Sequence, residues 1–310
     1  MCVCRINLLL CQMWQQYLSE VQSGNIKALA RSISAIENEW PGYEQLLELL
    51  PASNTPVIGI TGPPGAGKST LVDALIGELV SHNKKVAVVC VDPSSPFNLG
   101  ALLGDRIRMS EWYNNSNVFI RSLATRGSLG GLHPKIIEIT DLIKAAPFDY
   151  IIVETVGVGQ SEIEIAGLAD VTVVVVVPEA GDEIQTMKAG LMEIADIFVV
   201  NKADRPEADL FVKNLKQMLA PAFNRPQEIK IVKTIASQKK GVAELLEIVT
   251  SLLHQHDSNP KKGWLLTEKA YLLIQQHKMK HISKLQLKKE LEKQLHEKDF
   301  NLYRFIQQYI

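Results

Sequence analysis

Short runs of β-branched residues alternate with helical patterns of apolar residues between residue 56 and about residue 253. The runs are apolar at nearly every position, which is typical of parallel strands buried on both faces. They predict seven strands, at 57–61, 85–91, 118–123, 149–155, 171–177, 197–201 and 229–235. Strands that alternate with helices in this way form a doubly wound α/β domain, a mostly parallel sheet covered by helices on both faces.

The segments on either side of this region show helical spacing alone. Residues 14–50 are interrupted by Pro41-Gly42 and closed by Pro51, and they predict two or three helices. Residues 261–310 carry a long apolar stripe that contacts either the rest of the chain or a partner chain. We therefore expect an N-terminal helical extension (1–52), the α/β domain (53–256) and a C-terminal helical arm (257–310).

Composition and charge exclude several classes of protein. The 310 residues are 46% hydrophobic and 22% charged, as in ordinary globular proteins. Lys plus Arg (33) nearly balance Asp plus Glu (34), so no global field favours nucleic acid or an anionic membrane. Residues 261–310 are the exception, with 11 basic and 5 acidic residues. The longest valine-rich run is far too short to cross a membrane.

Cysteine usage indicates a reducing compartment. Four cysteines are too few for a disulfide scaffold, and three of them, Cys2, Cys4 and Cys11, lie at the N-terminus. No histidine or further cysteine follows at metal-ligand spacing, so we expect a disordered tail there rather than a metal site. The apolar stretch 6–10 is shorter than the core of a signal peptide. We expect a cytoplasmic protein.

A glycine-rich motif follows the first predicted strand. Residues 62–69 read G-P-P-G-A-G-K-S, which fits G-x-x-x-x-G-K-S/T, and a helical pattern comes next. Backbone N–H groups can surround a phosphate where Cβ atoms are absent, and the helix N-terminus adds positive potential. The predicted nucleotide-binding residues here are Gly62, Pro63, Pro64, Gly65, Ala66, Gly67, Lys68, Ser69 and Thr70. Lys68 is expected at the terminal phosphates and Ser69 at Mg²⁺.

Acidic residues supply further oxygen ligands for magnesium. Asp92 ends the second predicted strand and Glu154 ends the fourth, while Asp105 lies in a loop after Asp92. The carboxyl ends of parallel strands share one edge of a sheet, where doubly wound folds bind their ligands. The sequence therefore predicts that Asp92, Asp105 and Glu154 hold Mg²⁺ directly or through its other ligands.

The tetrapeptide Asn201-Lys202-Ala203-Asp204 follows the sixth predicted strand. A carboxylate at Asp204 can accept from the ring N–H and the exocyclic amine of guanine together, whereas adenine presents the opposite pattern. The stem of Lys202 would cover the ring, and Asn201 would tie this loop to the phosphate loop. After the last strand, a backbone N–H at Ala236 or Ser237 is placed to contact the guanine carbonyl oxygen. GTP and GDP are the predicted ligands.

Several segments together resemble the methylmalonyl-CoA mutase-associated GTPases of the MeaB/ArgK type. The matching segments are 62–70, 91–95, 103–105 with 108–109, 119–122, 126–131, 154–162 and 201–204. The resemblance implies a homodimeric P-loop GTPase that acts as a chaperone of a cobalamin-dependent acyl-CoA mutase, gates adenosylcobalamin loading and protects the mutase. The guanine loop of the family usually has Ser where this chain has Ile235, which favours Ala236 as the contact.

We expect hydrolysis by in-line attack of water, with Mg²⁺ and Lys68 neutralising charge on the phosphoryl group. Where other GTPases place glutamine directly after D-x-x-G, this chain has Val158, and Gln160 follows two residues later. Intrinsic turnover should therefore be slow, with activation by a partner. The candidate switch residues are Gly157, Gly181, Asp182, Gln185 and Lys188, the last four of which also fit a solvated helix start. Arg106, Arg108, Arg121 and Arg126 either stabilise the transition state or each hold an acidic residue.

Two other functions fit a GTP site. One is a GTP-dependent metallocentre or cofactor delivery protein, which needs a Cys/His cluster near the switches; here Cys90 is a strand residue and the seven histidines are scattered. The other is a transport-linked protein kinase, a label long carried by members of the resembling family. The chain has no H-R-D or D-F-G motif of a protein kinase.

Overall fold

The computed structural model describes residues 2–92, 109–125, 132–155, 161–178, 189–219, 229–255, 260–279, 281–295 and 300–309. The chain divides into two compact units, residues 1–259 and residues 260–310. None of the helices among the described residues is long and apolar enough to span a membrane.

Seven strands form one parallel sheet in the first unit. They are β1 (Val57–Thr61), β2 (Val86–Asp92), β3 (Val118–Ala124), β4 (Tyr150–Glu154), β5 (Val171–Val176), β6 (Ile197–Val200) and β7 (Lys230–Lys233). Their order across the sheet is β3-β2-β4-β1-β5-β6-β7. The predicted fold class is confirmed, and every strand lies within two residues of its predicted bounds. β1 is central, between β4 and β5, so its carboxyl end opens at the point where the strand order reverses.

Helices cover both faces of the sheet. One face carries α4 (Lys68–Ser81) and α9 (Val242–Gln255), and the other carries α5 (Ile136–Lys144), α6 (Ser161–Leu168), α7 (Ala189–Ile194) and α8 (Ala208–Leu219). Successive strand side chains point to opposite faces. In β1, Ile58 and Ile60 belong to the core under α4, whereas Val57 belongs to the core under α6. Burial on both faces explains why the inner strands are apolar at nearly every position, whereas the edge strands β3 and β7 include charged residues.

Three helices precede the sheet and share one of its cores. They are α1 (Cys2–Gln22), α2 (Ile26–Glu37) and α3 (Tyr43–Glu48). The side chain of Asn25 caps α2 by accepting from the backbone N–H groups of Lys27 and Ala28. Trp14, Leu29 and Ile33 are buried in the same core as α5 and β3. The expectation of a disordered N-terminal tail is wrong, since α1 begins at Cys2 and continues through the buried Trp14.

The second unit contains α10 (Pro260–Lys278), α11 (Lys284–Gln294) and α12 (Leu302–Ile306). Ser283 caps α11 and Asn301 caps α12 through side-chain oxygens. Phe305 is buried and packs near Phe300 and Tyr309. Many of the large apolar side chains described in this unit are exposed: Leu266, Tyr271, Leu272, Leu273, Ile274, Met279, Leu285, Leu295, Leu302 and Tyr303. This C-terminal arm therefore presents apolar surface that its own fold does not cover.

Candidate nucleotide-binding site

The loop between β1 and α4 requires glycine at two positions. Gly62 has φ +137°, and a Cβ there would lie 2.0 Å from the carbonyl oxygen of Val175. Gly67 has φ +88°, and a Cβ there would lie 2.4 Å from Nδ2 of Asn201. Both conformations are strained for other residues, and both positions also lack space for a side chain. The glycines of the motif thus let the loop turn tightly against β5 and the base loop.

Lys68 is the first residue of α4 and is almost fully buried. Its Nζ donates to the carbonyl oxygens of Gly62, at 2.9 Å, and Pro63, at 3.1 Å. The ammonium therefore bends back across the loop and lies inside the turn of the chain. Pro64 and Gly65 form the exposed tip of this loop, and Thr70 is half-buried in the first turn of α4. A phosphate held by the loop would meet the positive charge of Lys68 and the N-terminus of α4.

Ser69 and Glu154 meet at the carboxyl edge of the sheet. The Ser69 hydroxyl donates to Oε1 of Glu154 at 2.7 Å, and both residues are buried. The thiol of Cys90 lies 4.0 Å from Oε2 of the same carboxylate. Asp92 is buried at the end of β2, the strand beside β4. The structure therefore brings Ser69 and Glu154 together and places Asp92 at the same edge.

These residues fit a magnesium site with few protein ligands. Across the described ranges, no group of three or more His, Cys, Asp or Glu side chains could by itself hold a metal ion. Mg²⁺ typically takes one or two carboxylate or hydroxyl ligands and completes its octahedron with water and phosphate oxygens. A serine hydroxyl that donates a hydrogen bond to Glu154 still has the lone pairs of its oxygen available for a cation. Glu154 can thus act on the ion through Ser69.

Asn201 links three loops through one buried side chain. Its Nδ2 donates to the carbonyl oxygen of Ala66 at 2.9 Å, which ties the base loop to the phosphate loop. Its Oδ1 accepts from the hydroxyl of Thr234 and from the backbone N–H of Ala236, both at 3.1 Å. Thr234 was not predicted from the sequence. No local signal marks it, because the last strand already carries polar residues at Lys230 and Lys233.

The base loop contacts the tip of the phosphate loop a second time. Lys202 has φ +55°, and its Nζ donates to the carbonyl oxygen of Gly65 at 2.8 Å. This contact joins the Lys202 side chain to the tip of the phosphate loop. Asp204 is exposed beyond it, and Ser237 is exposed in the 3-10 turn Ala236–Gln238. The backbone N–H of Ala236 donates to Asn201 in this structure.

Several predicted residues lie outside the described ranges. They are Asp105, Gly157, Gln160, Gly181, Asp182, Gln185 and Lys188, together with Arg106, Arg108 and Arg126. Arg121 is described, and of the two roles expected for it the structure shows the second, since it holds an acidic residue. It lies in the middle of β3, opposite Val89, and its Nη2 donates to Glu37 at 2.7 Å and to Ser34 at 3.1 Å. The acidic partner is thus on α2, because strand alternation directs Arg121 toward the N-terminal helices.

Lys135 makes a comparable contact with the N-terminal helices. Its Nζ lies 2.9 Å from Glu39, donates to the Tyr43 hydroxyl at 3.0 Å and is 3.9 Å from Glu138. Burial alone would lower the pKa of Lys135, but these hydrogen bonds and the charge of Glu138 outweigh it and hold the pKa well above its usual value. Arg121 and Lys135 therefore bind Glu37 and Glu39, at the end of α2 and just after it.

Comparison with known proteins identifies the family. Residues 29–291 match the family described as methylmalonyl Co-A mutase-associated GTPase MeaB. A protein of Pyrococcus abyssi named as a GTPase is 46% identical over 239 residues, which cover 75% of this chain and 74% of that protein. The GTPase ArgK of Escherichia coli is 41% identical over 193 residues, 60% of this chain and 58% of the relative.

Two further matches extend the comparison. The mitochondrial methylmalonic aciduria type A homolog of Caenorhabditis elegans is 34% identical over 253 residues, which cover 74% of this chain and 63% of that protein. A crystal structure titled LAO/AO transport system kinase superposes with a TM-score of 0.68 at 25% identity, and the match covers 96% of each chain. The parallel sheet, the phosphate loop and these relatives agree on guanine nucleotide as ligand and GTP hydrolysis as reaction. The chain belongs to the MeaB family of methylmalonyl-CoA mutase-associated GTPases.

Proposed function

We propose that this GTPase is a chaperone of a cobalamin-dependent acyl-CoA mutase of the methylmalonyl-CoA mutase type. In this role GTP hydrolysis gates the loading of adenosylcobalamin and protects the mutase from inactivation. The observation that carries the proposal is the family match over residues 29–291, which spans the phosphate loop, the base loop and the whole sheet. The methylmalonic aciduria relative supports the same partner.

The residues of the site take the following roles in this proposal. The loop at 62–67 and the start of α4 bind the phosphates, and Lys68 neutralises charge on the transferring phosphoryl group. Ser69 would hold Mg²⁺, with Glu154 and Asp92 behind it, and the ion supplies further positive charge at the phosphates. Asp204 accepts hydrogen bonds from guanine, and the stem of Lys202 covers the ring. Asn201 holds the base loop at a fixed position relative to the phosphate loop.

We also propose that the arm mediates a homodimer. Leucine, isoleucine and tyrosine side chains are exposed along α10, and contiguous exposed apolar side chains often mark a protein–protein interface. A second copy would bury the same surface on both chains, as two-fold interfaces do. The cytoplasmic location stays a prediction from cysteine usage.

The decisive experiment measures phosphate release from GTP with and without a purified cobalamin-dependent acyl-CoA mutase. We expect slow hydrolysis alone, acceleration by the mutase, and slower loss of mutase activity during turnover when GTP is present. Lys68→Ala is the control and should abolish both effects, since the ammonium is removed from the loop. Radiolabel transferred from GTP to an acceptor protein would instead support the kinase, and turnover indifferent to the mutase would overturn the chaperone role. Acceleration by a nickel enzyme precursor would support metallocentre delivery.

A further inference from the structure

Two threonine hydroxyls meet at the carboxyl edge of the sheet. Thr61 ends β1 and Thr155 directly follows β4, and their Oγ1 atoms are 2.9 Å apart. Thr61 is 0% exposed and Thr155 is 1% exposed. The backbone N–H of Thr155 also donates to the carbonyl oxygen of Ile60 at 3.0 Å. Thr155 is therefore joined to the end of β1 by two hydrogen bonds. One links its hydroxyl to that of Thr61, and the other links its backbone N–H to the carbonyl oxygen of Ile60.

This pair lies on the opposite face of the sheet from Ser69 and Glu154. Side chains alternate along a strand, and Val153 belongs to the core under α6 while Ile152 belongs to the core under α4. Glu154 thus points toward α4, where Ser69 donates to it, and Thr155 points the other way. The backbone between Glu154 and Thr155 is consequently held by hydrogen bonds from both faces.

The helix after Thr155 is fixed on the same strand. A Cβ on Gly59, two residues before Thr61, would lie 2.7 Å from Cγ1 of Ile165 and 2.9 Å from Cβ of Ala169. Gly59 therefore lets α6 pack unusually close to β1. β1 therefore contacts both Thr155, directly after β4, and α6, the next helix along the chain.

We propose that Thr61 and Thr155 are positioning residues for GTP hydrolysis. Their hydrogen bond fixes the backbone from which the Glu154 carboxylate extends, and so fixes the direction of the Ser69 hydroxyl that donates to this carboxylate beside the phosphate loop. The inference rests on GTP hydrolysis at this site and is independent of the mutase. A displacement of about 1 Å at such a site can cost roughly 100-fold in rate.

Thr155→Val tests the inference because valine keeps the volume of threonine and removes the hydroxyl. We expect kcat for intrinsic GTP hydrolysis to fall about 10- to 100-fold, and the Mg²⁺ concentration for half-maximal rate to rise. The Kd for GDP measured without Mg²⁺ should stay within about threefold of the wild-type value, because the contacts of Lys68, Asn201 and Lys202 are intact. Thr155→Ser should restore kcat. A double variant with Thr61→Val should be no slower than Thr155→Val, since one shared bond is lost.

Thr140→Val is the matched control. Thr140 is a buried threonine of α5 whose hydroxyl donates to the carbonyl oxygen of Ile136 at 2.7 Å, away from the site. Its kcat should equal that of the wild type. Unchanged kcat in a folded Thr155→Val protein, a parallel loss of kcat and GDP affinity, or no recovery with Thr155→Ser would each overturn the inference. If Thr155→Val does not fold, Thr61→Val is measured against the same criteria.

Discussion

Truncation of Asn201 removes three hydrogen bonds from the centre of the nucleotide site. Asn201→Ala leaves the Ala66 carbonyl, the Thr234 hydroxyl and the Ala236 N–H without this partner. At about 1 kcal/mol net for each buried bond, the loss amounts to about 3 kcal/mol. Because these hydrogen bonds exist before nucleotide binds, we expect most of the roughly 3 kcal/mol, an order-of-magnitude value of about 1 kcal/mol for each bond, to appear as a lower free energy of unfolding. For a unit of this size that corresponds to a fall in Tm of about 6–12 °C.

Nucleotide affinity should fall as well, since the phosphate and base loops must then be ordered during binding. A cost of about 1.4 kcal/mol corresponds to a tenfold weaker Kd for GDP. Calorimetry gives Tm, and displacement of a fluorescent GDP analogue gives Kd. The exposed Asn54, in the segment before β1, offers Asn54→Ala as a control that should change neither quantity. A Tm within 1 °C and a Kd within twofold of wild type, as rough thresholds, would refute the linking role of Asn201.

Three further predictions concern other parts of the structure. Asp204→Asn should shift preference from GTP to XTP in competition binding, because an amide donates where the carboxylate accepted; unchanged GTP affinity would contradict the base assignment. Gly62→Ala should lower the free energy of unfolding by more than about 2 kcal/mol in urea titration, since its Cβ would lie 2.0 Å from the Val175 carbonyl. Lys135→Met should cost about 2 kcal/mol, equally at pH 6 and pH 9. Because folding raises the pKa of Lys135, its contribution to the free energy of unfolding is complete below the pKa of the unfolded chain and is lost only as pH rises through the pKa of the folded protein. Both test pH values lie below the unfolded pKa, so a different cost at pH 6 and pH 9 would refute this reasoning.

The sequence predicted the parts of the molecule that leave a local pattern. Strands buried on both faces are apolar throughout, and the phosphate loop and base loop combine a short motif with a strand end. The bond from Asn201 to the phosphate loop followed from that arrangement and is present.

The features that sequence analysis missed depend on contacts between distant residues. Thr61 and Thr155 are 94 positions apart, and Thr234 is 33 positions from Asn201. A hydroxyl at a strand end leaves no periodic signal, so neither pair could be recognised from spacing. The sequence left two roles open for Arg121 for a related reason: its role depends on which face of β3 it occupies, and α2 covers that face and supplies Glu37.

The two cation contacts to Glu37 and Glu39 bear on how the protein can be shortened. A chain starting at residue 53 would retain Arg121 and Lys135 but lose Glu37 and Glu39, which would leave Lys135 with Glu138 and Arg121 without its acidic partner on α2. It would also uncover the side of the core that Leu29 and Ile33 now seal. Removal of an ion-pair partner and of packed side chains at the same place destabilises on both counts. The nucleotide-binding domain of this protein should thus be expressed together with α1, α2 and α3. Proteolysis between α3 and β1 should release no stable fragment.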